Sequence, residues 1–125
     1  MNANERESLI HNVVGAVYEV SNVLGAGFLE KVYERALIRE LRARGMKAEA
    51  QVPCPIDYKG DCVGEYFVDV LVDDYLPIEL KCVSHLADEH LAQCLNYLRA
   101  TERSIALLVN FQKAKVEWRR VVLGL

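Results

Sequence analysis

The chain has four cysteines, Cys54, Cys62, Cys82 and Cys94, but no C-x-x-C pair. It does not open on a basic segment followed by an apolar signal core. No apolar run approaches the roughly 20 residues needed to span a bilayer. Together these absences predict a cytoplasmic protein with reduced thiols and no membrane partner. A basic excess is also missing: 15 Lys and Arg face 18 Asp and Glu, for a net charge of −3. Proteins that hold nucleic acid mainly through its phosphates usually carry such an excess, so any contact with DNA or RNA must be local or metal-assisted. There is no glycine-rich phosphate loop, since "GAG" at 25–27 lacks the spacing of either nucleotide fingerprint. Nor is there an internal repeat, a low-complexity tract or a linker. The 125 residues, over half of them hydrophobic, suit one domain over 1–125 that can bury a core without staples.

Leu9, Ile10, Val13, Val14, Val17 and Leu24 recur at helical spacing and predict a first helix over about 5–24, closed by the glycines at 25–27. A second helix is expected over about 28–44, with Gly45 as its stop. From about residue 47 the pattern changes to β-formers broken by Pro, "KGD" and "DD", predicting strands over about 47–58, 62–72 and 75–83. A third helix follows over about 87–100, with Leu91, Cys94, Leu95 and Leu98 inward. "SIALLVNF" reads as a strand buried on both faces and "KVEWRRVV" as a last strand. The order α-α-β-β-β-α-β-β predicts an α/β sandwich: a mixed central sheet flanked by helices.

The hairpin "VDVLVDDYLPIELKCV" holds Asp69, Glu79 and Lys81 in its most apolar part. Glu79 and Lys81 share one strand face, opposite Ile78, Leu80 and Cys82. The loop length places Asp69. A two-residue turn at Asp73-Asp74 sets it against Ile78, away from Glu79. A three-residue loop pairs Val72 with Leu76 and sets Asp69 across from Glu79, and this odd register is the one expected. Two carboxylates so close repel unless a cation sits between them. Lys81 supplies one charge; Mg²⁺ or Mn²⁺ would suit the hard oxygens. The plain alternative is an exposed polar face with a salt bridge.

Two helical stripes add to the hairpin. Gly27, Glu30, Tyr33 and Glu34 fall on one side of the second helix, and His90, Gln93 and Tyr97 on one side of the third. Each alone also describes a solvated face. Taken in order, Gly27-x-x-Glu30-x-x-Tyr33, "QVPCPIDYKG", "GEYFVDVLV", "IELK", "AQCLNYL" and "LLVNF" resemble the GxxExxY proteins, which are grouped with the PD-(D/E)XK nuclease superfamily. The resemblance runs from about residue 8 to 122. It implies a restriction-endonuclease-like core, with Asp69 and Glu79 as metal ligands and Lys81 orienting or activating the attacking water. Glu30 would bind the metal directly or through water, and Gln93 would support the site. Tyr33, His90 and Tyr97 would line the same cleft. Val68 stands where the family name has proline, a position that is not a ligand. Near Arg103 and Gln112 this chain lacks glycines that the family tends to have, so those turns are expected to differ.

Other constellations carry plainer readings. Cys82, His85, His90 and Cys94 have a zinc-like spacing, but Cys82 and Cys94 are expected on apolar faces, which favours buried thiols. No spacing supports a Cys-His nucleophile pair. His11 lies among apolar residues and is expected to be structural. Lys113, Lys115, Arg119 and Arg120 read as one solvated strand face, with phosphate contact as the alternative. Three functions remain: a Mg-dependent nuclease-fold enzyme cutting DNA or RNA, a non-catalytic binding or assembly module, and a hydrolase of a small phosphorylated compound. A lone chain of this size has little surface for a duplex. A homodimer through the apolar N-terminal helix would ease that.

Overall fold

A computed structural model describes residues 1–112 and 114–124; Lys113, one of the tail cations, lies outside them. The elements are α1 (Ala3–Leu24), α2 (Glu30–Ala43), β1 (Ala48–Tyr58), β2 (Asp61–Val72), β3 (Leu76–Lys81), α3 (Asp88–Thr101), β4 (Ile105–Asn110) and β5 (Glu117–Val122), in the expected order. The strands form one sheet in sequence order, antiparallel except for the parallel β3–β4 pair. Leu9, Ile10, Val13 and Val17 of α1 and Leu37 and Leu41 of α2 pack on one face, against Val70, Val72, Ile78 and Leu80. Cys94, Tyr97 and Leu98 of α3 pack on the other, against Val68, Ala106 and Leu108. β4 is buried along its whole length, as its unbroken apolar run requires.

The apolar stripe of α1, the basis of the dimer expectation, is therefore covered within the chain. His11 is exposed, not structural. Lys115 and Arg119 are also exposed, whereas Arg120 donates to both oxygens of Glu7 on α1 at 2.7 and 2.9 Å. Among the described residues no helix is long and apolar enough to cross a membrane.

Local chemistry sets the element ends. Asn2 caps α1 by accepting the Glu5 N–H at 2.8 Å. The second helix starts at Glu30, not 28. The Phe28 N–H is held at 3.3 Å by the Tyr33 hydroxyl, and Leu29 is extended. The third strand stops at Lys81, not 83, because the Asn110 side chain takes both the N–H and the carbonyl of Val83. Between β2 and β3, Asp73 and Asp74 are both left-handed, and the Tyr75 N–H closes the turn on the Val72 carbonyl at 2.9 Å. Aspartate tolerates that conformation better than most side chains. Tyr75 adds a third loop residue, so Val72 pairs with Leu76 and Val70 with Ile78. The odd register is the one the chain adopts.

One irregularity shapes the rest. Along β2, Val70 and Val72 face α1 and α2, but Tyr66 and Val68 face α3. Along β1, Ala48 faces the first cluster, Val52 and Cys54 the second. Residues two apart should share a face. Both strands therefore exchange faces at the same level, at Gln51 and Asp69.

Candidate active site

The ladder between β2 and β3 ends at Val70 and Ile78. One step further the Asp69 side chain replaces it: Oδ2 accepts the Leu80 N–H at 2.7 Å. The strands part there and open a cleft of about 600 Å³. Its polar wall holds Glu30, Asp69, Glu79, Lys81, Gln93 and Asn96; its apolar wall holds Ile56, Tyr66, Phe67 and Tyr97. The Tyr66 and Tyr97 rings lie 5.2 Å apart and tilted, joining β2 to α3. Lys81 donates from Nζ to Gln93 Oε1 at 3.3 Å.

Glu79 is 4% exposed, and its Oε1 has no hydrogen-bond partner among the described residues. Burial, then the Asp69 charge, pushes its carboxyl up to about 8, against the Tyr66 hydroxyl and Lys81, which lower it. Burial also raises Asp69, partly offset by the hydrogen bonds from Leu80 and Gln51. Glu30 is raised by burial and by Asp69. Three carboxylates thus disfavour one another's charge, the electrostatics expected of a site suited to a further cation. Such oxygens match Mg²⁺ or Mn²⁺, and the orphaned Glu79 oxygen is a free ligand for one. As the side chains stand, no three or more His, Cys, Asp or Glu among the described residues form a group that could hold a metal ion. A metal would have to draw Glu30 inward or take its remaining ligands from water and substrate.

Comparison with protein families matches residues 7–121 to the PD-(D/E)XK nuclease superfamily. The chain belongs to that superfamily. No curated protein matches it. Among solved structures, the protein SSO0001 superposes with a TM-score of 0.61 at 17% identity, over 77% of this chain and 51% of that one. This chain thus spans about half the length of that neighbour, and the likeness shows a shared fold. An alkaline exonuclease from Laribacter hongkongensis gives 0.49 at 18% identity, over 86% of this chain and 76% of that one. Its complex with dAMP gives 0.46 at 15%, with the same coverage.

Of the residues singled out in the PD-(D/E)XK chain, Glu30, Asp69, Glu79, Lys81, Gln93 and Tyr97 meet at the cleft. Two do not. Tyr33 is wholly buried, stacked on Phe111 with centroids 4.7 Å apart, and its hydroxyl donates to the Gly25 carbonyl at 2.5 Å. It is a core residue that fixes the approach to α2. Tyr33→Ala should cost about 3–5 kcal/mol by urea denaturation. Tyr33→Phe should cost about 1–2 kcal/mol, because the Gly25 and Phe28 backbone groups lose their partner. His90 caps α3 instead: Nδ1 accepts the Ala87 N–H at 2.9 Å, and it lies outside the cleft wall. The zinc-like set is divided, since Cys82 packs on the α1–α2 face and Cys94 on the α3 face.

Sequence reasoning assigned no role to Tyr66, Asn96 or Gln51. Asn96 was findable, three residues after Gln93 on the same stripe. Tyr66 was not, because the face exchange at Asp69 reverses the strand alternation that would have placed it. Gln51 donates from Nε2 to Asp69 Oδ1 and to Glu34, a link that no spacing announces.

Proposed function

We propose that this cleft hydrolyses phosphodiester bonds of DNA or RNA with a divalent ion, Mg²⁺ or Mn²⁺, held by Asp69 and Glu79 and assisted by Glu30. The observation that carries the reading is the buried, unpartnered Glu79 oxygen beside Asp69, with Lys81 on the same strand face. When bound, the ion supplies polarisation of a phosphoryl oxygen and offsets negative charge as it develops. The residues do the rest. Lys81, steadied by Gln93, holds the attacking water and meets the growing charge. Tyr66 and Tyr97 offer rings against a base or sugar. Lys31, Arg35 and Arg39 lie exposed along α2 from Glu30 onward, a local basic face despite the net charge. Four free thiols support the cytoplasm as its compartment, and the ordered motifs support the GxxExxY group within the superfamily.

The test is cleavage of single-stranded DNA, duplex DNA and RNA in Mg²⁺ or Mn²⁺, by wild type and Lys81→Met. The variant should lose about 10²–10³-fold in rate while metal affinity by calorimetry is kept. Equal rates would remove Lys81 from the chemistry. Metal binding without cleavage of any substrate would favour the second reading, a binding module that keeps the fold. The absence, among the described residues, of a closed group of three or more His, Cys, Asp or Glu is the observation on its side.

A further inference from the structure

Gln51 lies inside β1 with φ of +50°. A long side chain rarely adopts that backbone, and glycine would take it without strain. Ala50 pairs with Val70 and Val52 with Val68, while the step between them leaves the ladder. That step is where β1 and β2 both exchange faces. The broken step explains the exchange, but not why the residue at it is glutamine. The side chain does. Its Nε2 donates to Glu34 Oε1 at 3.0 Å and to Asp69 Oδ1 at 3.3 Å. Glu34 is 4% exposed, and its other oxygen accepts from Lys31 at 2.9 Å. With a carboxylate oxygen accepting on each side, the amide nitrogen is the end that points between them.

We infer that Gln51 is a positioning residue: its left-handed backbone aims one amide at both Glu34 and Asp69, and so fixes the Asp69 carboxylate at the split between β2 and β3. Asp69 is then held from two sides, by Gln51 on Oδ1 and by the Leu80 N–H on Oδ2. Each oxygen keeps a further lone pair for the cleft. Gln51 touches neither ion nor substrate; it acts through Asp69. The inference rests on the reading of Asp69 as a metal ligand, and its test has one arm that does not.

In the metal-free protein, the Gln51 side-chain amide should exchange slowly by NMR and its resonance should move in Asp69→Asn. A freely exchanging amide, or one that ignores Asp69→Asn, overturns the inference whatever the metal does. In the second arm, Gln51→Gly suits the backbone and Gln51→Leu keeps the bulk; both lose the amide. Both should bind Mn²⁺ about 10–100-fold more weakly than wild type by calorimetry, the usual loss when a ligand's supporting partner goes. A glycine variant that binds within about twofold of wild type overturns the inference, because the left-handed backbone alone then suffices. If wild type binds no Mn²⁺ at all, the metal reading fails, and the amide signal alone decides whether Gln51 holds Asp69.

Discussion

Asp69→Ala should abolish Mg²⁺ and Mn²⁺ binding at millimolar concentration and lower any cleavage by about 10³-fold or more. The carboxylate stands where the β2–β3 ladder stops, one step beyond the Val70–Ile78 pair, which places it across from Glu79. No other acidic side chain of β2 reaches the cleft wall. The substitution has a structural cost as well. It strips the Leu80 N–H of its acceptor in a part-buried position, worth about 1–3 kcal/mol. Binding is therefore read by calorimetry at a temperature where circular dichroism shows the variant folded. Glu79→Gln serves as the companion, because it changes a carboxylate to a neutral isostere and removes no backbone partner. Loss of binding in both variants places the ion between these two strands. Retention of wild-type binding in Asp69→Ala would sink the metal site as drawn, and the cleft would then be a binding surface.

The fold was legible wherever one physical signal acted alone. The apolar periodicity of α1 and the unbroken apolar run of β4 each had one packing solution, and both are found. The hairpin register followed from loop length, because one extra residue decides which face meets which. What was missed came from side chains competing with the backbone. Asn110 ends β3 two residues early by bonding to Val83. Tyr33 keeps the helical spacing of Glu30 and Glu34 but points into the core, because its ring finds Phe111 from β4's far end. Spacing defines a stripe; it does not say which edge of the stripe is buried. The strain at Gln51 was invisible for a related reason: nothing in "AQVPC" marks a left-handed residue, since the cause lies in Glu34 and Asp69, far away in sequence.

Metal-free protein should become less stable as pH rises from 5 to 8, and Glu79 should be the main cause. An unfolded glutamate ionises near its ordinary value, about 4.3. In the folded chain the Glu79 carboxyl is held up to about 8, first by burial and then by Asp69. Between these values the native state binds a proton that the unfolded state has released. Stability then falls with rising pH, by up to about 1.4 kcal/mol per unit from this group. The contribution is complete below the unfolded value and lost as pH passes about 8. Asp69 and Glu30 are raised too and act in the same direction. The share of Glu79 alone is several kcal/mol, or a melting temperature on the order of 10 °C lower at pH 8 than at pH 5. Glu79→Gln is neutral throughout, so it should flatten the profile and melt above wild type at pH 8. Divalent metal should raise the wild-type melting temperature at pH 8 and do little at pH 5, because protons and metal compete for the same oxygens. A flat wild-type profile that Glu79→Gln leaves unchanged would mean that Glu79 ionises freely in the folded chain. The buried, unpartnered oxygen would then already be reached by water, and the cleft would have no stored demand for a cation.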